Sequence, residues 1–177
     1  MGSVAYFTAV IARSGNAWRA RDVEVDDATS LEDLTDSLRA VSVGDQPVLA
    51  VIEHEDEWFA VIRVDGDDEP RLFVSDLAAA SHSRYGVLLA PAADVDSADD
   101  QDAADEDEDD DEGGDDEQEE EEAKVAAWAG ETDLLEDFGV SGRTLRKLVE
   151  ENGEDPGAVL AEVGETVGFG ELLDALR

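Results

Sequence analysis

The 177 residues carry 49 acids against 12 bases, a formal net charge of −37, and no cysteine. Such a charge disfavours direct binding of tRNA, DNA or anionic headgroups, because affinity for phosphate backbones comes largely from Lys and Arg displacing condensed counterions. The missing cysteines exclude disulfides, thiolate nucleophiles and zinc-cysteine centres, which is compatible with a reducing compartment.

The charge is unevenly spread. Residues 1–93 hold 17 acids and 7 bases, residues 94–122 hold 20 acids and no base, and residues 123–177 hold 12 acids and 5 bases. The flanks are therefore acidic in their own right, which suits a basic partner, a solvating role or a high-salt cytoplasm. The start, Met1-Gly2-Ser3-Val4, has no basic region before its apolar stretch, and that stretch is broken by Thr8 and closed by Arg13. Neither a signal peptide nor a membrane span fits, so a cytoplasmic location is expected.

From Val4 to Arg13 the residues are largely β-branched, aromatic or alanine, and Ser14-Gly15-Asn16 turns them into a second strand at Ala17–Val23. Both faces of the first strand are apolar, which predicts a central strand with material on each side. Ser30 is positioned to cap a helix with an apolar stripe at Leu31, Leu34, Leu38 and Val41, and Asp33 is a short version of the capping-box acid. Pro47 opens a strand through Ile52. An acidic loop with His54 follows, Trp58–Val64 returns, Asp65-Gly66 turns, and Arg71–Val74 makes a fifth strand. Asp76 is a cap for a short alanine-rich helix ahead of Tyr85–Leu89.

Residues 91–122 contain no aromatic and no apolar side chain larger than valine, so they bury too little surface to offset chain entropy and are predicted to be disordered. From about Ala123 the pattern turns helical. Leu134, Leu135 and Phe138 end at Gly139, Ser141 caps a helix with Leu145, Leu148 and Val149, and Asp155-Pro156 opens another before Gly164. A last turn or helix holds Phe169, Leu172, Leu173 and Leu176. The predicted architecture is α+β: a mostly antiparallel sheet of about five strands with one or two helices in residues 1–90, a disordered acidic linker at 91–122, and a small all-helical unit at 123–177.

Chemistry is sparse. His54 and His82 have no neighbour pattern for a nucleophile or metal, no Gly-x-Ser-x-Gly elbow occurs, and Val167-Gly168-Phe169-Gly170 lacks the lysine and third glycine of a phosphate loop. Asp109-x-Asp111-x-Gly113-Gly114 with Glu120 follows a calcium-loop spacing except at Gly113, without flanking amphipathic helices. Asp65-Gly66-Asp67-Asp68-Glu69 is explained by turn chemistry without a metal. No cofactor and no dedicated metal site is therefore expected. Trp58 reads as core or interface, and Arg63, Arg71 and Arg84 with Tyr85 gather the cations of an otherwise acidic unit, either as internal ion pairs or, as the lesser reading, for anion capture.

Ala5-Tyr6-Phe7-Thr8-Ala9-Val10, Glu55–Gly66, Arg71-Leu72-Phe73-Val74-Ser75-Asp76 and Tyr85-Gly86 resemble the actinobacterial tRNA adenosine deaminase-associated proteins. Leu134-Leu135-x-x-Phe138-Gly139-Val140-Ser141 and Gly168-Phe169-Gly170-Glu171-Leu172 resemble the same family's C-terminal segment. The resemblance skips the acidic middle. It implies association with a tRNA adenosine deaminase and brings no catalytic residues. The deaminase reaction itself needs a His-x-Glu and a Pro-Cys-x-x-Cys zinc site, whereas this chain has no cysteine and Asp56 stands two places after His54.

The expectation is thus a non-catalytic accessory protein whose partner is a tRNA adenosine deaminase, with Trp58, Arg63, Arg71, Arg84 and Tyr85 as its candidate interface. The alternative is an acidic nucleic-acid mimic or a chaperone-like binder of another basic protein. A carboxylate-based enzyme is a third reading, since paired acids abound but their convergence in a pocket is invisible in a sequence.

Overall fold

The computed structural model describes residues 6–54, 57–91, 128–152 and 155–176. Residues 92–122 of the predicted acidic linker, with the calcium-like spacing inside it, lie outside these, as do 123–127 at the start of the predicted helical unit.

Six strands form one sheet in the order β2-β1-β3-β4-β5-β6, every neighbouring pair antiparallel. They are β1 (Tyr6–Ser14), β2 (Ala17–Arg21), β3 (Pro47–His54), β4 (Trp58–Asp65), β5 (Arg71–Val74) and β6 (Ala129–Gly130). Short turns join β1 to β2, β3 to β4 and β4 to β5, while the connection over residues 22–46 carries the chain across to set β3 on the other side of β1. The register aligns Val10, Ala50, Ile62 and Leu72 in one row and Ile11, Leu49, Arg63 and Arg71 in the next. Because side chains alternate along a strand, these rows face opposite sides. One row is wholly apolar; the other ends in two arginines.

The first face is covered by α1 (Leu31–Ala40), α2 (Leu77–Ser81) and α3 (Gly86–Leu89). Leu34 and Leu38 of α1, with Leu88 and Leu89 of α3, pack over Val10, Ala50, Ile52, Ala60 and Ile62. Local chemistry starts each helix where the sequence placed it. Ser30 Oγ accepts from the Asp33 amide at 3.2 Å, and Asp76 Oδ1 accepts from the Ala79 amide at 3.1 Å. Asp33 does reach back, but to Thr29, whose hydroxyl donates to it at 2.6 Å, one residue beyond the cap.

The second face is covered by α4 (Gly142–Glu151), α5 (Pro156–Val167) and α6 (Gly170–Leu176). Ser141 and Asp155 cap the first two through the amides of Thr144 and Ala158. Leu145, Val149, Val159, Leu160, Val163, Phe169 and Leu173 form one buried cluster with Ile11, Leu49, Val51, Phe59, Val61 and Phe73 of the sheet. Each large apolar side chain fully withdrawn from water contributes about 1.5–3 kcal/mol, so this face holds a substantial share of the fold's stability. Helices α5 and α6 meet closely: a Cβ at Gly164 would lie 2.8 Å from Gly170 Cα.

The C-terminal segment differs from the all-helical expectation in two respects. Ala129 and Gly130 pair with Val74 and Phe73 as the sixth strand, and the Glu131 amide then donates to Leu72 O at 2.7 Å. Gly130 has φ 103°, and a Cβ there would stand 2.3 Å from Leu72 O, so the strand approaches β5 only because this position has no side chain. Leu134 to Phe138 forms turns and a 3-10 turn at Glu136–Phe138 in place of a full helix. The segments on either side of the linker thus share both a sheet and a core.

Candidate functional site

The five residues singled out by the sequence do not form one patch. The register places Trp58 on the α1 face and Arg63 and Arg71 on the opposite one.

Trp58 is 1% exposed and Tyr85 2% exposed. They belong to an aromatic group at the end of the sheet, with Tyr6 4.6 Å from His54 and 4.9 Å from Tyr85 between ring centroids. Such edge and offset arrangements are favourable beyond the area they bury. Trp58 Nε1 is buried without a hydrogen-bond partner among the described residues. His54 is the last residue of β3, where the sequence suggested a loop, and its Nδ1 lies 3.1 Å from Glu57 Oε1. Arg84 is exposed, its guanidinium 5.7 Å from the Tyr85 ring.

Arg63 and Arg71 fasten the C-terminal segment to the sheet. Arg63, 6% exposed, donates through Nη1 and Nη2 to the two carboxylate oxygens of Asp137 at 2.7 and 2.8 Å, and through Nε to Asp65 at 3.0 Å. Its Nη1 also donates to the Leu134 carbonyl, and its guanidinium stands 4.9 Å from the Phe138 ring. A planar fork of donors suits this bidentate geometry. The Arg63 hydrogen bonds hold the Asp137 carboxyl below the usual carboxylate range, against a smaller opposing effect of burial. Burial alone would lower the Arg63 pKa; the hydrogen bonds to Asp137 and Asp65 together outweigh it and raise it. Arg71 adds a second tie, to Glu131 at 2.7 Å and Asp133 at 3.2 Å.

Arg39 occupies the acidic turn after β4, which the sequence explained without a metal. It donates to the carbonyls of Gly66, Asp67 and Asp68 at 3.0, 3.3 and 2.9 Å, so a guanidinium already sits where a metal would need the backbone oxygens. Among the described residues no group of three or more His, Asp or Glu is placed to hold a metal ion. Nor is any helix among them long and apolar enough to cross a membrane.

Sequence reasoning missed Asp137, Leu134 O, Glu131 and Asp133 as the partners of the arginines. Their only signal was the local excess of acid just before α4, which does not distinguish them from the other acids of the chain.

The fold and these contacts define an acidic α+β protein whose sheet is covered on both faces and whose Arg63 and Arg71 are committed to its own C-terminal segment. The chain belongs to the Rv3753c-like tRNA adenosine deaminase-associated protein family, whose model matches residues 6–170. The match spans both sides of the acidic run. No curated protein and no solved structure matches the chain.

Proposed function

We propose that this protein is a non-catalytic accessory partner of a tRNA adenosine deaminase, acting in the cytoplasm. The observation that carries the reading is the family match over residues 6–170 in a chain of net charge −37. An enzyme that binds tRNA must present a basic face, and an acidic partner is steered to such a face by long-range attraction. Of the five candidate interface residues, Arg84 is the exposed one, and in this reading it would touch the partner. Trp58, Arg63 and Tyr85 are buried and Arg71 is held in ion pairs, so their contribution is to keep the surface in shape.

The test is a binding measurement between the full-length protein and the host's tRNA adenosine deaminase at low and high salt. A complex of defined stoichiometry that persists at high salt supports the reading, since a shape-specific interface with an apolar anchor outlasts charge screening. No complex at low salt, where attraction is strongest, overturns it. Binding only at low salt, and equally to unrelated basic proteins, favours the mimic or chaperone-like role instead.

A further inference from the structure

The strand at one edge of the sheet is open and carries the wrong charge for this protein. In a β2 of five residues, Trp18 is the single buried side chain. The two-residue turn after Ser14 pairs Ser14 with Ala17, so Ala17, Arg19 and Arg21 bond inward to β1 while the backbone groups of Trp18 and Ala20 point outward. These outward groups meet no hydrogen-bond partner among the described residues. The opposite edge is different: β6 is only two residues long, and its glycine leads directly into a turn.

Arg19 and Arg21 stand on one side of this edge, across from Ala12 and Val10. Both are exposed, and neither has an ion pair or a side-chain hydrogen bond among the described residues. In a chain of net charge −37, Arg39, Arg63 and Arg71 are all spent on carboxylates or carbonyls of their own chain. The other side of the edge offers exposed Ala20, beside a Trp18 whose ring is braced by Phe138 and Phe169 at 5.2 and 6.1 Å.

We infer that the β2 edge is a docking strand for an extended acidic segment of a partner protein, which adds to the sheet with carboxylates opposite Arg19 and Arg21. Added strands gain affinity from main-chain hydrogen bonds and specificity from alternate side chains. Whether the added strand runs parallel or antiparallel, the residues facing Arg19 and Arg21 are two apart. The recognised pattern is therefore acid, small apolar, acid, with the apolar residue beside Ala20. A second copy of this chain fits poorly, because full-length antiparallel pairing of two β2 strands sets Arg19 against its own counterpart, and like charges directly opposite are destabilising. The chain's remaining acids oppose an acidic ligand only within the screening distance of about 8 Å at physiological ionic strength. This inference stands apart from the deaminase reading and concerns a different ligand chemistry.

The test uses the full-length, 15N-labelled protein and a capped peptide, Thr-Val-Glu-Val-Glu-Val-Thr, with a counterpart bearing lysines for the glutamates. The glutamate peptide is expected to shift the β2 amides and to slow hydrogen exchange at Trp18 and Ala20. The double variant Arg19→Glu/Arg21→Glu, altered only at exposed positions and checked for an unchanged thermal transition, is expected to lose affinity roughly tenfold and to accept the lysine peptide instead. Absence of binding to the wild type means the arginines merely guard the edge against aggregation, and overturns the inference. So does binding that ignores the charge reversal, or protection of Trp18 and Ala20 that grows with protein concentration without peptide, which would assign the edge to a second copy.

Discussion

Arg63 of β4 and Asp137, 74 positions later, face each other through two parallel hydrogen bonds of 2.7 and 2.8 Å. The pair joins the strand that ends the apolar sheet row to the turn before α4, so it fastens one half of the chain on the other.

Replacing Arg63 with methionine should destabilise the protein by about 2–3 kcal/mol, because the Leu134 carbonyl and the carboxylates of Asp65 and Asp137 lose a shared donor. Asp137→Asn should cost less, about 0.5–1 kcal/mol, since the Asp137 side chain is 58% exposed and water replaces part of what is lost. Urea denaturation of both variants measures the difference.

The same pair sets an acid limit. Asp137 has its folded-state pKa lowered from 3.8, so its contribution is complete above the unfolded-state value and is lost as pH falls through the lower folded-state value. The stability gap between wild type and Asp137→Asn should therefore be constant from neutral pH down to about pH 4 and shrink below it. A gap that closes between pH 5 and 7 would show that another group controls this contact.

A chain ending at Pro91 should lack a cooperative thermal transition and bind a hydrophobic dye. The truncation uncovers Ile11, Leu49, Val51, Phe59, Val61 and Phe73, a contiguous apolar face that α4 to α6 otherwise cover. Adding a polypeptide of residues 123–177 in trans should restore the transition. A sharp two-state transition in the truncated chain would instead establish 1–90 as an autonomous domain.

Gly130→Ala should release β6, since the new Cβ would fall 2.3 Å from Leu72 O at a φ of 103°. A cost of about 2 kcal/mol or more is expected from the clash and strain together. Loss of protection at the Glu131 amide, which donates to Leu72 O, locates the damage at this edge. Gly44→Ala, also at positive φ but with open space around its Cβ, is the control for strain alone.

Deleting residues 94–122 removes 20 acids. If the deaminase partnership holds, association should slow and its salt dependence flatten while dissociation stays nearly unchanged, because distant charge acts on encounter and the folded surface sets lifetime. Stopped-flow or surface-binding kinetics at two salt concentrations separates the two rates.

What the sequence determined by itself was decided within a few residues. The Ser14-Gly15-Asn16 turn, the caps at Ser30, Asp76, Ser141 and Asp155-Pro156, and the doubly apolar β1 were all legible, because a cap needs only an oxygen three positions before an amide and a strand only its own alternation. The likeness to the deaminase-associated family was legible too, since it rests on runs such as Glu55–Gly66. Tertiary structure alone decided the rest. Ala129-Gly130 is too short to read as a strand and becomes one only where Phe73 and Val74 offer it a ladder. Internal ion pairs for Arg63 and Arg71 were legible as a possibility but their partners were not: strand alternation turns both arginines away from Tyr85 to the opposite face, where Asp137, Glu131 and Asp133 meet them. Those partners lie 60 to 74 positions away. A short-range pattern carries no information about a carboxylate that distant, because docking the C-terminal helices on an apolar face is what brings it within 3 Å.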